Sequence, residues 1–444
     1  MSTQQTIDVQ GFINAHKLSA MQIVTLLLCF LIVAVDGFDT AAIGFIAPAI
    51  RAEWGLTPAH LAPVFGAGLA GLMAGAFLFG PLADRFGRKT VLMVCAGFFG
   101  LASLASAYSN SVEMLVVLRF LTGLGLGGAM PNSVTLSSEY APEKHRSVLV
   151  TSMFCGFTLG SALGGVAAAH VVADFGWRAV LVIGGVLPLL LVPVLALYLP
   201  ESARFLVMKG RKPEQVRRTL QRIAPSKDLS TASFSVPEKA QTGFPVKHLF
   251  DPELRRGTLL LWLAFFMSLL VIYLLSSWLP TLISSTGMTL KKASLVTAMF
   301  QVGGTAGAIA LGQLMDRFNP QRVLGVTYAL AAVFTVLIGN STGNTAILVV
   351  AVFGAGFCVS GAQVGANALA AGFYPTASRA TGVSWASGVG RIGSVLGSMG
   401  GGWMLSLGWG LPTVFALVGI PTIVAGISML SMGRVERATA AVAH

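Results

Sequence analysis

Twelve apolar runs, each long enough to cross the hydrocarbon core of a bilayer as a helix, recur along this chain of 444 residues. About 20 apolar residues suffice for one crossing. The runs fall at roughly 21–49, 61–82, 90–109, 112–136, 148–172 and 178–200, then 257–283, 293–315, 322–340, 345–371, 380–405 and 411–431. Only 10% of residues are charged, against about 25% in a soluble domain. Polar side chains are therefore too few to cover a globular surface. The expectation is an all-α membrane protein with twelve transmembrane helices.

The polar pieces divide the chain further. Residues 1–20 read as a cytoplasmic N-terminal tail without the apolar segment of a signal peptide. Residues 21–200 and 257–431 read as two six-helix bundles, and 432–444 as a second cytoplasmic tail. Between the bundles, 201–256 is a basic linker containing Arg211, Lys212, Arg217, Arg218 and Arg222. With the N-terminus inside, cytoplasmic segments hold 23 of the 29 Lys and Arg residues. The opposite side holds Arg51, Arg178, Lys291 and Lys292, while Arg119 and Arg391 lie within spans. This bias places both termini in the cytoplasm of a bacterial-type inner membrane. The net charge of +12 then reflects topology and anionic lipid. Nucleic acid is excluded, because no basic residues interleave with aromatics on a compact domain. Cys29, Cys95, Cys155 and Cys358 lie far apart within apolar spans, as small apolar filler. No Cys/His cluster suggests a metal, and no cofactor is expected.

Four full charges remain at membrane depth: Asp36, Asp39, Arg119 and Arg391. On insertion scales, one such charge at a helix centre costs about 2.5–3.5 kcal/mol. Asp36 and Asp39 stand three residues apart, on one face of span one. Two acids and two bases make a balanced set, as a paired interior network requires. Arg119 is expected to pair with Asp36 or Asp39. If that pairing changes as helices move, the carboxylate can take or release a proton; the alternative is a static buried pair.

The chain also repeats itself at an offset of about 232 residues. Gly80-Pro81-Leu82-Ala83-Asp84-Arg85-Phe86 returns as Gly312-Gln313-Leu314-Met315-Asp316-Arg317-Phe318. Gly160-Ser161-Ala162-Leu163-Gly164 returns as Gly393-Ser394-Val395-Leu396-Gly397, and Pro142 with Arg146 as Pro375 with Arg379. Two homologous halves follow, with a solute site near the midplane between them. Arg391 breaks the repeat, since its first-half counterpart is Thr158. That asymmetry favours a substrate role, a guanidinium holding a carboxylate through two bonds. A structural ion pair is the alternative.

At this point the whole chain resembles the major facilitator superfamily. The carrying motif is Gly80-Pro81-Leu82-Ala83-Asp84-Arg85-Phe86-Gly87-Arg88-Lys89. The resemblance implies a conformational latch. Asp84 would face a helix N-terminus across the half interface. Arg85, Arg88 and Lys89 would meet acidic groups or lipid headgroups. These contacts would hold the outward-facing state and break on inward opening. Asp316 and Arg317 form the second copy. Glu139, Arg146, Glu201 and Arg204 join the network as inter-helix ion pairs; Pro200-Glu201-Ser202-Ala203-Arg204 looks like the family's sugar and organic-ion branches. Arg119-Phe120-Leu121-Thr122-Gly123 resembles the family's Arg-x-x-Gln-Gly element, linked to proton coupling, with Thr122 replacing Gln. Ser161 stands where drug antiporters carry proline, which favours symport.

Asp36-Gly37-Phe38-Asp39-Thr40, together with the Arg in span eleven, resembles the aromatic acid:proton symporter family. That resemblance implies import of benzoate-type acids such as 4-hydroxybenzoate and protocatechuate. The chemistry agrees, because an aromatic acid needs one fixed cation and an apolar slot. Candidates for the slot are Phe38, Tyr273, Trp278 and Trp385; Gln301 and Asn132 could bond a ring hydroxyl. Span seven carries no amide, which argues against a sugar. His170 is the one histidine near membrane depth and has no evident partner, so an intramembrane enzyme is disfavoured. The reading is a monomeric proton-coupled importer of a small aromatic carboxylate; the alternative is a symporter for another organic anion, such as a dicarboxylate.

Overall fold

The structure, a computed structural model, describes residues 6–210, 213–227, 229, 232–236, 247–341, 343–374 and 379–442. Arg211, Lys212 and Pro375 lie outside the described residues, as do the side chain of Arg379 and parts of both tails and the linker. A short strand β1 (Thr6–Asp8) and helix α1 (Val9–Ala15) precede six long helices. These are α2 (Ala20–Trp54), α3 (Pro58–Phe86), α4 (Arg88–Ala107), α5 (Val112–Tyr140), α6 (Arg146–Phe175) and α7 (Trp177–Tyr198). The linker carries α8 (Ala203–Met208), α9 (Pro213–Ile223) and β2 (Ser233–Ser235). Six more helices follow: α10 (Pro252–Ser284), α11 (Leu290–Arg317), α12 (Pro320–Asn340), α13 (Thr345–Phe373), α14 (Arg379–Ser406) and α15 (Leu411–Val442).

Among the described residues, eleven of these helices are long and apolar enough to cross a membrane. α14 occupies the place of another span and is 28 residues long. Its glycines, serines and Arg391 dilute the apolar character that would mark it by composition. Several helices outrun the apolar runs that announce them. α2 continues to Trp54, where Gly55 closes it in a left-handed conformation at φ 63°.

The repeat in sequence is a repeat in packing. α2 lies along α6, α3 along α5 and α4 along α7; correspondingly, α10 lies along α14, α11 along α13 and α12 along α15. The halves meet through α6 on α11, α3 on α14 and α2 on α10. Close approach of α2 and α6 depends on Gly37. A Cβ there would stand 2.1 Å from the Phe157 carbonyl oxygen. Ser161 Oγ donates to the Gly37 carbonyl at 2.9 Å, pinning the crossing between the two aspartates. Gly37→Val is therefore expected to push the helices apart and abolish the folded carrier. A monodisperse variant with wild-type melting temperature in detergent would contradict this.

The apolar core explains how the halves are held. One buried cluster runs through both halves at the end of the bundle away from the termini, joining Ile46, Leu61 and Phe65 to Leu275, Trp278 and Phe300. Phe65 meets Trp278 edge to face, with ring centroids 5.0 Å apart. At the end carrying the termini and linker there are two separate clusters instead. Leu92, Leu136 and Leu206 belong to the first half's, and Leu261, Tyr328 and Ala370 to the second's. The halves thus share one apolar core at the far end and have separate ones at the terminal end. The motif glycines Gly80 and Gly312 face open space there.

The N-terminal segment is more ordered than a polar tail. Asp8 caps α1 by accepting from the Gln10 and Gly11 amides. Val9, Phe12 and Ile13 are buried with Val216 and Leu220 of the linker. β1 pairs in parallel with β2, Thr6 opposite Ser233.

Candidate functional site

Gly37 lets α2 lie against α6 and leaves its two aspartates to different neighbours. Asp39 turns into the first half. Its Oδ2 is 3.1 Å from Arg119 Nη1, and both side chains are almost wholly buried, at 1% and 4% exposure. Ser103 Oγ of α4 donates to Asp39 Oδ1 at 2.6 Å. Arg119 Nη2 donates to Ser106 Oγ at 3.2 Å and to Thr122 Oγ1 at 2.9 Å. Thr122, in place of the motif glutamine, accepts from the arginine and donates its own hydrogen bond to the Leu118 carbonyl. Burial of this charged pair is tolerable because most of its polar atoms are satisfied, only Arg119 Nε being left without a partner. Of the two partners sequence left open for Arg119, the geometry selects Asp39.

Asp36 is equally buried but enters no ion pair among the described residues. It accepts from Thr40 Oγ1 at 3.1 Å. The basic group acting on it through space is Arg391, which acts on the Tyr273 hydroxyl as well. Arg391 is half-buried on α14. Among the described residues its side chain forms no ion pair and no hydrogen bond. The same holds for the Tyr273 hydroxyl. Thr158, the counterpart of Arg391 in the repeat, instead shares a hydrogen bond of 2.5 Å with Thr305 across the halves.

A small cavity opens beside this network. Asp39, Thr40, Phe65, Leu69, Leu72, Arg119 and Thr122 line it from the first half, and Tyr273 and Ser277 from the second. It combines apolar walls with a few polar groups at a half interface, as small-molecule sites do. Tyr273 lies on its wall, whereas Asp36 and Arg391 are not among the residues that line it.

The remaining slot candidates are placed elsewhere. Phe38 is packed toward Gly164 of α6 and Gly184 of α7. Trp278 is fully buried and donates to the Ser398 carbonyl at 2.6 Å, as a core residue of the far end. Trp385 is 46% exposed and stacks on Trp262 at 5.8 Å. Asn132 donates to the Gly128 carbonyl of its own helix at 2.7 Å. Gln301 donates to Ser276 Oγ at 3.3 Å, next to cavity residue Ser277. Sequence reasoning missed Ser103, Ser106 and Ser277; serines in helical spans are common, and nothing local marks these three.

The latch residues make contacts within their own half. Asp84 is 71% exposed and pairs with Arg88 at 2.7 Å. Among the described residues, none of Asp84, Arg85, Asp316 and Arg317 forms an ion pair across the halves. The ion pairs expected among Glu139, Arg146, Glu201 and Arg204 are replaced by hydrogen bonds. Glu201 accepts from the Lys89 and Ser202 amides at 3.0 and 2.9 Å, and Glu139 from the Ser202 hydroxyl. Backbone amides at a chain reversal are nearer donors than long arginine side chains. Gly87, at φ 102°, permits this approach, since a Cβ there would stand 2.2 Å from Glu201 Oε2. Arg146 and Arg204 line a separate cavity with Glu139 and Glu143 beside α1.

The family model described as Major Facilitator Superfamily matches residues 29–292 and 261–443. The chain is 51% identical to the 4-hydroxybenzoate transporter PcaK of Pseudomonas putida, over 99% of this chain and 98% of that protein. It is 47% identical to a gallate transporter of Pseudomonas putida, over 98% and 97%. Among solved structures it is similar to the xylose transporter XylE from E. coli in an inward-open conformation, at a TM-score of 0.73 and 20% identity, covering 92% and 95% of the two chains.

Proposed function

The chain belongs to the major facilitator superfamily, and from that premise we propose that it imports a small aromatic carboxylate of the 4-hydroxybenzoate, protocatechuate or benzoate class together with protons. The observation that carries this reading is the uncommitted guanidinium of Arg391 on α14, together with the free hydroxyl of Tyr273 on the wall of a cavity with apolar walls. A guanidinium can bind a carboxylate through two parallel bonds, and a phenol can add a third donor. Phe65, Leu69 and Leu72 offer a surface for an aromatic ring. Arg119 is committed to Asp39, so a single free guanidinium remains at the site. One cation suits a monocarboxylate better than a dicarboxylate. Relatives that carry 4-hydroxybenzoate and gallate support the same class.

The Lys and Arg bias puts the termini on the cytoplasmic side of a bacterial inner membrane. An apolar core shared only at the opposite end then suits the inward-facing state. The latch reading agrees, because Asp84 pairs with its neighbour Arg88 rather than across the interface. In the outward-facing state Asp84 would exchange that partner for the second half.

The test is uptake of a labelled panel into proteoliposomes under an imposed pH gradient, acid outside. Benzoate, 4-hydroxybenzoate and protocatechuate are the carboxylates; succinate and xylose are the comparators. Saturable uptake of at least one aromatic acid, lost when the gradient is collapsed, is expected. Uptake of succinate or xylose alone would reject the substrate class, and uptake indifferent to the gradient would reject proton coupling.

A further inference from the structure

Two of the helix pairs on which the halves meet, α6 on α11 and α3 on α14, are counterparts in the internal repeat. They are not tied alike. Thr158 Oγ1 and Thr305 Oγ1 share a hydrogen bond of 2.5 Å between α6 and α11. Among the described residues no other hydrogen bond, and no ion pair, joins one half to the other. One hydroxyl donates across; the other turns its proton to its own helix. There the Cys155 carbonyl lies 3.1 Å from Thr158, and the Gln301 carbonyl 3.2 Å from Thr305. Away from the termini, a Cβ on Gly165 would stand 3.0 Å from the Ala298 Cβ, so α6 and α11 run antiparallel in one register through both points. Toward the termini, Gly312 lies two turns beyond Thr305 on the same face of α11. A Cβ there would meet nothing within 4 Å, so no side chain of α6 reaches it. The threonine bond stands between a stretch in close contact and a stretch without it.

The other pair has no such tie. Met399 of α14 packs on Gly66 of α3, where a Cβ would stand 2.7 Å from its Cγ and Sδ, and Gly402 lies against Ala62. The same register brings Arg391 to the level of Met73, and these two are the repeat counterparts of Thr158 and Thr305. A thioether offers a guanidinium only a weak acceptor. The two pairs also stand apart, α6 packing on α2 and α11, and α3 on α5 and α14. Resting on the transport reading above, we infer that the carrier hinges asymmetrically: the Thr158–Thr305 bond is a hinge that survives the change between inward- and outward-facing states, and the α3/α14 side, which carries Arg391, is the side that opens. A single tied point converts separation of two packed bodies into rotation about that point, and displacement grows with distance from it. A pair of hydroxyls suits such a point, because either oxygen can accept from the other as the angle between the helices changes. The free guanidinium then sits where the motion is larger.

Cross-linking tests this in the purified full-length protein, reconstituted in proteoliposomes and read by uptake of labelled 4-hydroxybenzoate under a pH gradient. Thr158→Cys with Thr305→Cys puts two thiols at the hinge. Gly66→Cys with Met399→Cys puts two on the α3/α14 side, where Met399 holds the only atoms that a Cβ on Gly66 would meet within 4 Å. Uptake is compared after oxidation with copper phenanthroline and after reduction with dithiothreitol. Each single substitution, treated alike, controls for the four native cysteines. The hinge cross-link should keep about half or more of the reduced protein's uptake, and the α3/α14 cross-link should lower it about tenfold, reversibly. Loss of uptake on the hinge cross-link overturns the proposal, as does failure of the hinge thiols to join or uptake indifferent to the α3/α14 cross-link. A double-mutant cycle of Thr158→Val and Thr305→Val, read by melting temperature in detergent, does not depend on the cross-links. A shared bond makes the double variant no less stable than the weaker single one, and additive losses overturn the bond. Absence of uptake by wild type overturns the transport reading itself, and this inference with it.

Discussion

Replacing Arg391 with alanine is expected to lower aromatic-acid uptake by about 10- to 100-fold while leaving the protein folded. A hydrogen bond to a charged group contributes about 1.5–3 kcal/mol, and about 1.4 kcal/mol is a factor of ten. The expectation of an intact fold comes from what Arg391 does not touch. Its side chain forms no ion pair or hydrogen bond among the described residues. Its removal thus breaks no ion pair or hydrogen bond to another described residue. Arg391→Lys should recover only part of the activity, because an ammonium cannot present two parallel donors. Initial uptake rates, set beside melting temperature in detergent, check both halves of the expectation. A variant that loses its fold along with its activity would identify Arg391 as structural.

Arg119→Met should have the opposite profile, with stability failing first. Removing one member of a buried ion pair leaves the other as an uncompensated charge, at about 3–5 kcal/mol. Here Asp39 would be left at 1% exposure with only the Ser103 hydroxyl. Adding Asp39→Asn removes that charge, and the double variant should regain most of the lost melting temperature. Restoration by the second substitution is the signature of a pair. If Arg119→Met melts like wild type, or if the double variant is no more stable than the single, the pair does not hold the first half together.

These two arginines show what could be read in the chain and what could not. Both stood out in sequence, because a charge at depth in an apolar run demands a reason. Arg391 also carried its own signal, the mismatch with Thr158 in an otherwise repeated span. The twelve runs and the internal repeat announced two related helical halves; which helix packs on which came only with the structure. Partner choice was not legible. Asp36 and Asp39 sit on one helix face, and only the crossing at Gly37 and the placement of α4 and α5 send one inward to Arg119 and leave the other without an ion pair among the described residues. The aromatics misled for a related reason. Trp278 and Phe38 are apolar at depth whichever way they point, so their burial in the packing could not be told from a place in the cavity. The N-terminal arm offered a faint sign in Asp8 followed by Val9, Phe12 and Ile13, a cap and an apolar face within seven helical residues. Its pairing with a strand some 225 residues away lay beyond any local pattern.

The central claim is that Arg391 holds the substrate's carboxylate. Its most direct measurement is equilibrium binding of 4-hydroxybenzoate and of its uncharged carboxamide, by titration calorimetry, to purified wild type and to Arg391→Gln. The account predicts that wild type prefers the acid over the amide, by about the 10- to 100-fold that a charged bond supplies, and that Arg391→Gln loses this preference. Wild-type affinity of Arg391→Gln for the acid would contradict it.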